Sequence, residues 1–176
     1  MSREIYRGRL IRLDRESVSL PDGRDIELDI VHHPGGAVVA ALDDAGQVCM
    51  LRQYRHAAGG VIWELPAGCI DSDDDEPLST ARRELEEEAG LVARDWQSLG
   101  SIFTTPGFCD EVLHLFLARE LEETATDHGE DELIEVKWMP MAEALRRIMD
   151  NDIRDGKTVA GLFKAQAFLS SRSLSE

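Results

Sequence analysis

The chain has 176 residues, with 19 Lys+Arg against 35 Asp+Glu and a net charge of −16, a balance that sets it against nucleic-acid backbones and anionic membranes. That length suits one domain with a small appendage and is enough to bury about 70% of the unfolded surface. Charges run through the amino-terminal residues and no apolar run approaches about 18 residues, so neither a signal peptide nor a membrane span is expected.

Residues 5–13, 16–20 and 24–33 alternate apolar and polar side chains around the turn Pro21-Asp22-Gly23. This pattern predicts a small antiparallel β unit within residues 1–34. Strands at 37–42 and 47–53 follow, joined by Asp43-Asp44-Ala45-Gly46. The apolar run Val61-Ile62-Trp63 then leads into Glu64-Leu65-Pro66-Ala67-Gly68 and an acidic stretch at 71–76. A helix is predicted from Pro77, with Asp75 or Glu76 as its N-cap and Gly90 as its stop. Leu78, Ala81, Leu85 and Ala89 give that helix an apolar stripe. Further strands are predicted near 97–104, 111–118 and 133–139, and helices at about 141–150 and 158–169. Helices on both sides of a mixed sheet make residues 35–176 an expected α/β/α sandwich.

The most informative stretch is Arg83-Glu84-Leu85-Glu86-Glu87-Glu88-Ala89-Gly90-Leu91. On a helix Glu84, Glu87 and Glu88 share one face, with Cβ atoms about 5–6 Å apart, and like charges at that spacing repel. A divalent cation reverses the sign of that interaction, and hard carboxylate oxygens suit Mg²⁺ or Mn²⁺ better than Zn²⁺.

These residues carry a family resemblance. Gly68 to Leu91 resembles the Nudix hydrolase signature G-x5-E-x7-R-E-U-x-E-E-x-G-U, where U is a bulky apolar residue. Arg83 to Leu91 matches at every defined position. The first half departs from it: Asp75 stands where the family has Glu, and six residues instead of five separate it from Gly68. Leu51-Arg52-Gln53-Tyr54-Arg55, Thr105-Pro106-Gly107-Phe108-Cys109-Asp110-Glu111, the acidic Glu130-Asp131-Glu132 and the turn Asp155-Gly156-Lys157-Thr158 resemble further segments of the ADP-ribose pyrophosphatase subfamily.

The resemblance implies the Nudix sandwich fold and Mg²⁺- or Mn²⁺-dependent hydrolysis of ADP-ribose to AMP and ribose 5-phosphate. Glu84, Glu87 and Glu88 are the expected metal ligands, with the Ala67 carbonyl as a fourth. Glu132 or Glu130 is the expected general base. Arg52 and Arg55 are candidates for the substrate phosphates or for ordering nearby acids, and Glu64 for orienting Arg52 or water. Gly107 is expected to let backbone approach a ribose, with Glu111 reaching a metal or a hydroxyl. The subfamily also implies a homodimer through the N-terminal strands, in which Asp29 lies on the base side of the pocket. GDP-mannose or another nucleotide sugar is the alternative substrate, and a catalytically silent nucleotide sensor is the alternative class.

Cys49, Cys69 and Cys109 lack C-x-x-C spacing and are read as reduced thiols of a cytoplasmic protein rather than zinc ligands. His32, His33, His56, His114 and His128 show no ligand-like grouping along the sequence and are expected to be structural or exposed.

Overall fold

A computed structural model describes residues 2–70, 76–128 and 133–173. The amino-terminal alternation becomes β1 (Ser2–Arg7), β2 (Arg12–Ser19) and β3 (Asp25–His32), an antiparallel sheet in that order. This sheet is largely exposed, and its connection to the remainder runs through β3. The Val31 N–H donates to the Phe108 carbonyl at 2.7 Å, and the Asp110 N–H to the Val31 carbonyl at 3.1 Å.

The next strands are β4 (Gly36–Ala41), β5 (Gln47–Arg55), β6 (Gly60–Glu64) and β7 (Ala67–Cys69). After helix α1 (Pro77–Ala89) come β8 (Leu91–Phe103), β9 (Val112–Glu123) and β10 (Ile134–Pro140). Helices α2 (Met141–Met149) and α3 (Gly156–Ser173) complete the order.

Every residue of β4 is buried, as suits a strand covered on both faces. It pairs in parallel with β9 and antiparallel with β7, so the sheet β7-β4-β9-β8 is mixed. The turn at 43–46 does not close a simple hairpin. Beyond one bridge between Leu42 and Val48, β5 leaves β4 for a second, antiparallel sheet of order β10-β5-β6. Asp43 shapes that departure by accepting from the N–H groups of Ala45 and Gln47 at 2.9 and 2.7 Å.

Period-two alternation divides the core between the two faces. Val38 and Ala40 of β4, Val48 and Met50 of β5, and Leu113, Leu115 and Leu117 of β9 pack with Ala144, Leu162 and Ala165 of α2 and α3. Ala37, Val39, Ala41, Cys49, Leu51, Phe116 and Ala118 face the other way, onto Ala81, Leu85 and Ala89 of α1. This is the α/β/α sandwich expected from the sequence. Several element ends differ from that expectation: the stretch expected as one strand over 5–13 is divided between β1 and β2, β8 begins at Leu91, β9 runs on to Glu123, and α3 begins at Gly156, because the Asp155 carboxylate accepts from the Thr158 N–H at 3.1 Å and starts the helix early.

Candidate active site

Helix α1 starts with Pro77 in its first turn and ends at Gly90, whose φ of 64° and N–H bond to the Glu86 carbonyl at 2.9 Å make a left-handed C-cap. Glu76 occupies the N-cap by backbone conformation, but its side chain makes no capping bond. Glu76 is thus the N-cap expected from the sequence, held by backbone conformation alone, its carboxylate being one methylene longer than the side chains that cap well. The apolar stripe Ala81, Leu85 and Ala89 pulls this helix onto the sheet. Glu84 and Glu88 border the stripe and are carried inward, to 9% and 4% exposure.

Buried carboxylates require partners. Arg83 Nη1 lies 2.7 Å from Glu84 Oε1 and 3.1 Å from Glu87 Oε2, while its Nη2 donates to the Cys69 carbonyl at 3.2 Å. Glu88 Oε2 accepts from the Ala67 N–H at 2.8 Å, which ties β7 to the helix. Gly68 lies against Glu84 so closely that a Cβ there would stand 1.9 Å from Oε1. The helix thus presents buried hard oxygen donors against a strand bearing no side chain at that point. A donor set of this chemistry fits Mg²⁺ or Mn²⁺, with Glu84, Glu87 and Glu88 as the residues that would hold the ion.

Gly68 also lines a cleft of ≈ 670 Å³, together with Ala67, Arg55, Glu111, His33 and Lys157. Across the cleft from α1, Arg55 forms a two-pronged ion pair with Glu64, Nε to Oε1 at 2.9 Å and Nη2 to Oε2 at 2.7 Å. Lys157 adds a third bond to Glu64 Oε2 at 2.8 Å and one to Asp155 Oδ2 at 3.0 Å. Burial would raise the Glu64 pKa, but Arg55 and Lys157 outweigh it and hold the carboxyl below its ordinary range. The hydrogen bond to Glu64 raises Arg55 in turn. Asp155 accepts from Thr158 Oγ1 at 2.6 Å, and Thr158 Oγ1 accepts from the Leu65 N–H at 2.9 Å, so the turn into α3 is fastened to the strand end that carries Glu64.

Glu111, one residue before β9, accepts from Thr104 Oγ1 at 2.6 Å and lies 3.2 Å from His33 Nδ1. Cys69 Sγ is 3.9 Å from His33 Nε2. Cys49 lies in the core, where burial pushes its thiol up to about 12; a thiol so held is inert.

Not every sequence candidate gathers here. Arg52 is exposed on β5, 3.6 Å from Glu135 and over the ring of Trp63 at 5.5 Å, and Glu64 is paired with Arg55 instead. The reason is strand geometry: residues three apart on β5 point to opposite faces, and only Arg55 is on the side of Glu64. Asp29 is exposed and held by Arg15 at 2.7 and 3.0 Å, on the N-terminal sheet and not among the residues lining the cleft. Gly107 is exposed and a Cβ there would meet open space, so no close approach within the chain requires glycine. Asp75, Glu130 and Glu132 lie outside the described residues.

Two of the five histidines, His32 and His33, depart from expectation. His33 lines the cleft, and His32 lies with Asp14 and Glu16 in a group whose ligand atoms are all within 4.8 Å of one another. Strand register builds that group, and no spacing in the sequence reveals it. Lys157 and Asp155 join the site without any role expected of them from the sequence. Their trace in the sequence is an acid two residues before a lysine at a helix start.

Comparison with known proteins agrees with this architecture. The model of the NUDIX domain family matches residues 31–160. An ADP-ribose pyrophosphatase of Mycobacterium tuberculosis is 38% identical over 168 residues, covering 94% of this chain and 81% of that protein. An ADP-ribose pyrophosphatase of Bacillus subtilis is 39% identical over 157 residues, covering 88% of this chain and 84% of the relative. Among solved structures, one described as an ADP compounds hydrolase superposes with a TM-score of 0.85 at 19% identity, covering 98% of this chain and 93% of the other. At that identity the likeness speaks for the fold.

Proposed function

The chain belongs to the Nudix family, and we propose that it hydrolyses the pyrophosphate bond of ADP-ribose, giving AMP and ribose 5-phosphate, with Mg²⁺ as its metal. The observation that carries this reading is the meeting of Glu84 with Gly68 at the edge of a cleft whose other side holds Arg55 and Lys157. Acidic donors on one side suit a cation, and basic groups opposite suit phosphate oxygens. The two relatives named as ADP-ribose pyrophosphatases support the choice of substrate.

A bound metal would neutralise charge on the pyrophosphate and lower the pKa of the attacking water. Glu84, Glu87 and Glu88 would hold it, with the Ala67 carbonyl as a further candidate ligand. Glu64 keeps Arg55 and Lys157 at the cleft wall, where they meet phosphate oxygens, while Arg52, on the opposite face of β5, lies outside that recognition. Glu132, or Glu130 beside it, takes the proton from water. Glu111 receives a ribose hydroxyl next to Gly107.

The N-terminal sheet and the β1–β2 connection expose Ile5, Tyr6, Leu10, Ile11 and Leu28. Apolar side chains of that number on one small unit support a homodimer through it, with Asp29 on the base side of the pocket. Three free thiols support a reducing, cytoplasmic setting. Among the described residues no helix is long and apolar enough to cross a membrane.

The test is hydrolysis of a nucleotide-sugar panel with Mg²⁺ and with EDTA, products being identified chromatographically. AMP and ribose 5-phosphate from ADP-ribose, lost with EDTA, is the expected result. Cleavage of GDP-mannose alone would replace the substrate, and tight binding without products would replace the enzyme with a sensor. Analytical ultracentrifugation at micromolar concentration checks the dimer; a monomer there overturns it.

A further inference from the structure

We propose that Asp14, Glu16 and His32 form a second divalent-cation site, separate from the glutamates of α1, which takes Zn²⁺ or a similar transition ion and pins the N-terminal sheet to the loop that carries Glu111. The orientation of the His32 ring carries the argument first. Its Nδ1 lies 2.5 Å from Asp110 Oδ2, and an ionised carboxylate only accepts, so Nδ1 holds the proton. In the neutral ring Nε2 is then a lone pair directed at the two carboxylates of β2. A carboxylate behind a histidine whose other nitrogen meets acids is the arrangement that orients metal-binding imidazoles.

Distances carry it further. Nε2 is 3.3 Å from Glu16 Oε1 and 3.6 Å from Asp14 Oδ2. Charge-assisted hydrogen bonds would draw these atoms to about 2.7–2.9 Å. Donors about 2.1 Å from a tetrahedral ion stand about 3.4 Å apart, close to both distances from Nε2, and all three donor atoms lie within 4.8 Å of one another.

Burial and charge agree. Asp14 is 7% exposed. Its Oδ1 and His32 Nε2 are buried with no hydrogen-bond partner, while Oδ2 accepts from Ser2 Oγ at 3.0 Å. Asp14, Glu16 and Asp110 bring three negative charges. Arg12 returns one, with Nε 3.2 Å from Asp14 Oδ1 but outside hydrogen-bonding geometry. A divalent ion balances the remainder, and one imidazole with two carboxylates favours a transition ion over Mg²⁺.

The site joins two parts of the chain. Asp110 holds the His32 ring and, through Oδ1, the His33 N–H at 2.9 Å. The next residue is Glu111, which lines the cleft. An ion at His32 therefore fixes the loop end from which Glu111 enters the cleft.

Metal-stripped full-length protein labelled with ¹⁵N-histidine, titrated with Zn²⁺ and followed by long-range proton–nitrogen correlation, tests this directly. The His32 Nε2 resonance should move on adding Zn²⁺ while Nδ1 keeps its proton. Glu16→Gln, on the half-exposed side of the group, should abolish the response, and Asp110→Asn should weaken it about 10–100-fold. Glu87→Gln, on α1, should leave it unchanged. The proposal is overturned if His32 in the wild-type chain stays doubly protonated or unmoved once Zn²⁺ has saturated the protein, or if Glu87→Gln removes the response. The wild-type spectrum decides the matter even if a variant fails to fold.

Discussion

Gly68 and Glu84 occupy nearly the same space: a Cβ on Gly68 would fall 1.9 Å from Oε1 and 2.1 Å from Cδ of Glu84. Glycine is needed here for close approach rather than for backbone conformation. Gly68→Ala must displace the Glu84 carboxylate from its bonds to Arg83, and with it the donor set of α1. We expect a cost of about 1–3 kcal/mol in stability from overpacking. Catalysis should suffer more, by about 10²-fold in kcat/KM, as when reacting groups are misplaced by an ångström. Urea unfolding and steady-state kinetics separate the two effects; an alanine variant with unchanged kcat/KM would detach Glu84 from the chemistry.

The bond between Arg55 and Glu64 makes a pH-dependent prediction. Glu64 has its folded-state pKa depressed below the ordinary 4.5. Its ionised form is therefore favoured by folding, and the stability it contributes is complete above that value. As pH falls below 4.5 and through the depressed folded-state value, that contribution is lost. Glu64→Gln should flatten the acid limb of a plot of Tm against pH and leave its neutral limb lower. Arg55→Ala should cost about 2–3 kcal/mol at neutral pH, less than the about 3–5 kcal/mol of a wholly unpaired buried charge, since Lys157 still reaches Glu64. An acid limb identical in wild type and Glu64→Gln would refute the linkage.

What the sequence shows and what it hides follow from the range of the interactions. Helix α1 is legible because Pro77, the stripe Ala81-Leu85-Ala89 and Gly90 are local instructions. Strand β4 is legible because both its faces are buried and its residues are uniformly small and apolar. The division of the strands into two sheets is not, because the turn at 43–46 favours local pairing while β9, whose Leu113 to Ala118 pair with Gly36 to Ala41 from 77 residues on, competes for the same edge of β4 and wins. The family pattern brought the acids of α1 to notice, but Lys157 meets Glu64 across 93 residues and no local rule joins them. Likewise His32 reaches Asp14 and Glu16 only through the register that sets Arg12 opposite His32 and Asp14 opposite Ile30.

Glu87 offers the cleanest probe of the metal. Its side chain is 40% exposed and pairs with Arg83 one turn back on the same helix, so Glu87→Gln should fold normally. Several kcal/mol of transition-state stabilisation rest on a catalytic metal, and each 1.36 kcal/mol is a factor of ten. Loss of a ligand should therefore lower kcat by about 10²-fold or more at fixed Mg²⁺. Raising Mg²⁺ should recover part of that loss if affinity alone is affected. Wild-type turnover across the titration would remove Glu87 from the ligand set.

The general base is the remaining assignment, and it divides between two neighbours. His128 Nε2 donates to the Glu88 carbonyl at 2.8 Å, and the Asp127 N–H to the Glu87 carbonyl at 2.9 Å, so the segment before Glu130 is fastened to the carboxyl end of α1. On the far side the Leu133 carbonyl accepts from the Tyr54 N–H at 3.3 Å, one residue from Arg55. The described residues on either side of Glu130 and Glu132 are thus tied to α1 and to β5. Glu132→Gln should lower kcat by about 10²–10⁴-fold with KM little changed, the mark of a proton-transfer group. Glu130→Gln should fall well short of that. The acidic limb of the kcat–pH profile should disappear in the variant that removes the base, and if it disappears in Glu130→Gln instead, the role moves to Glu130.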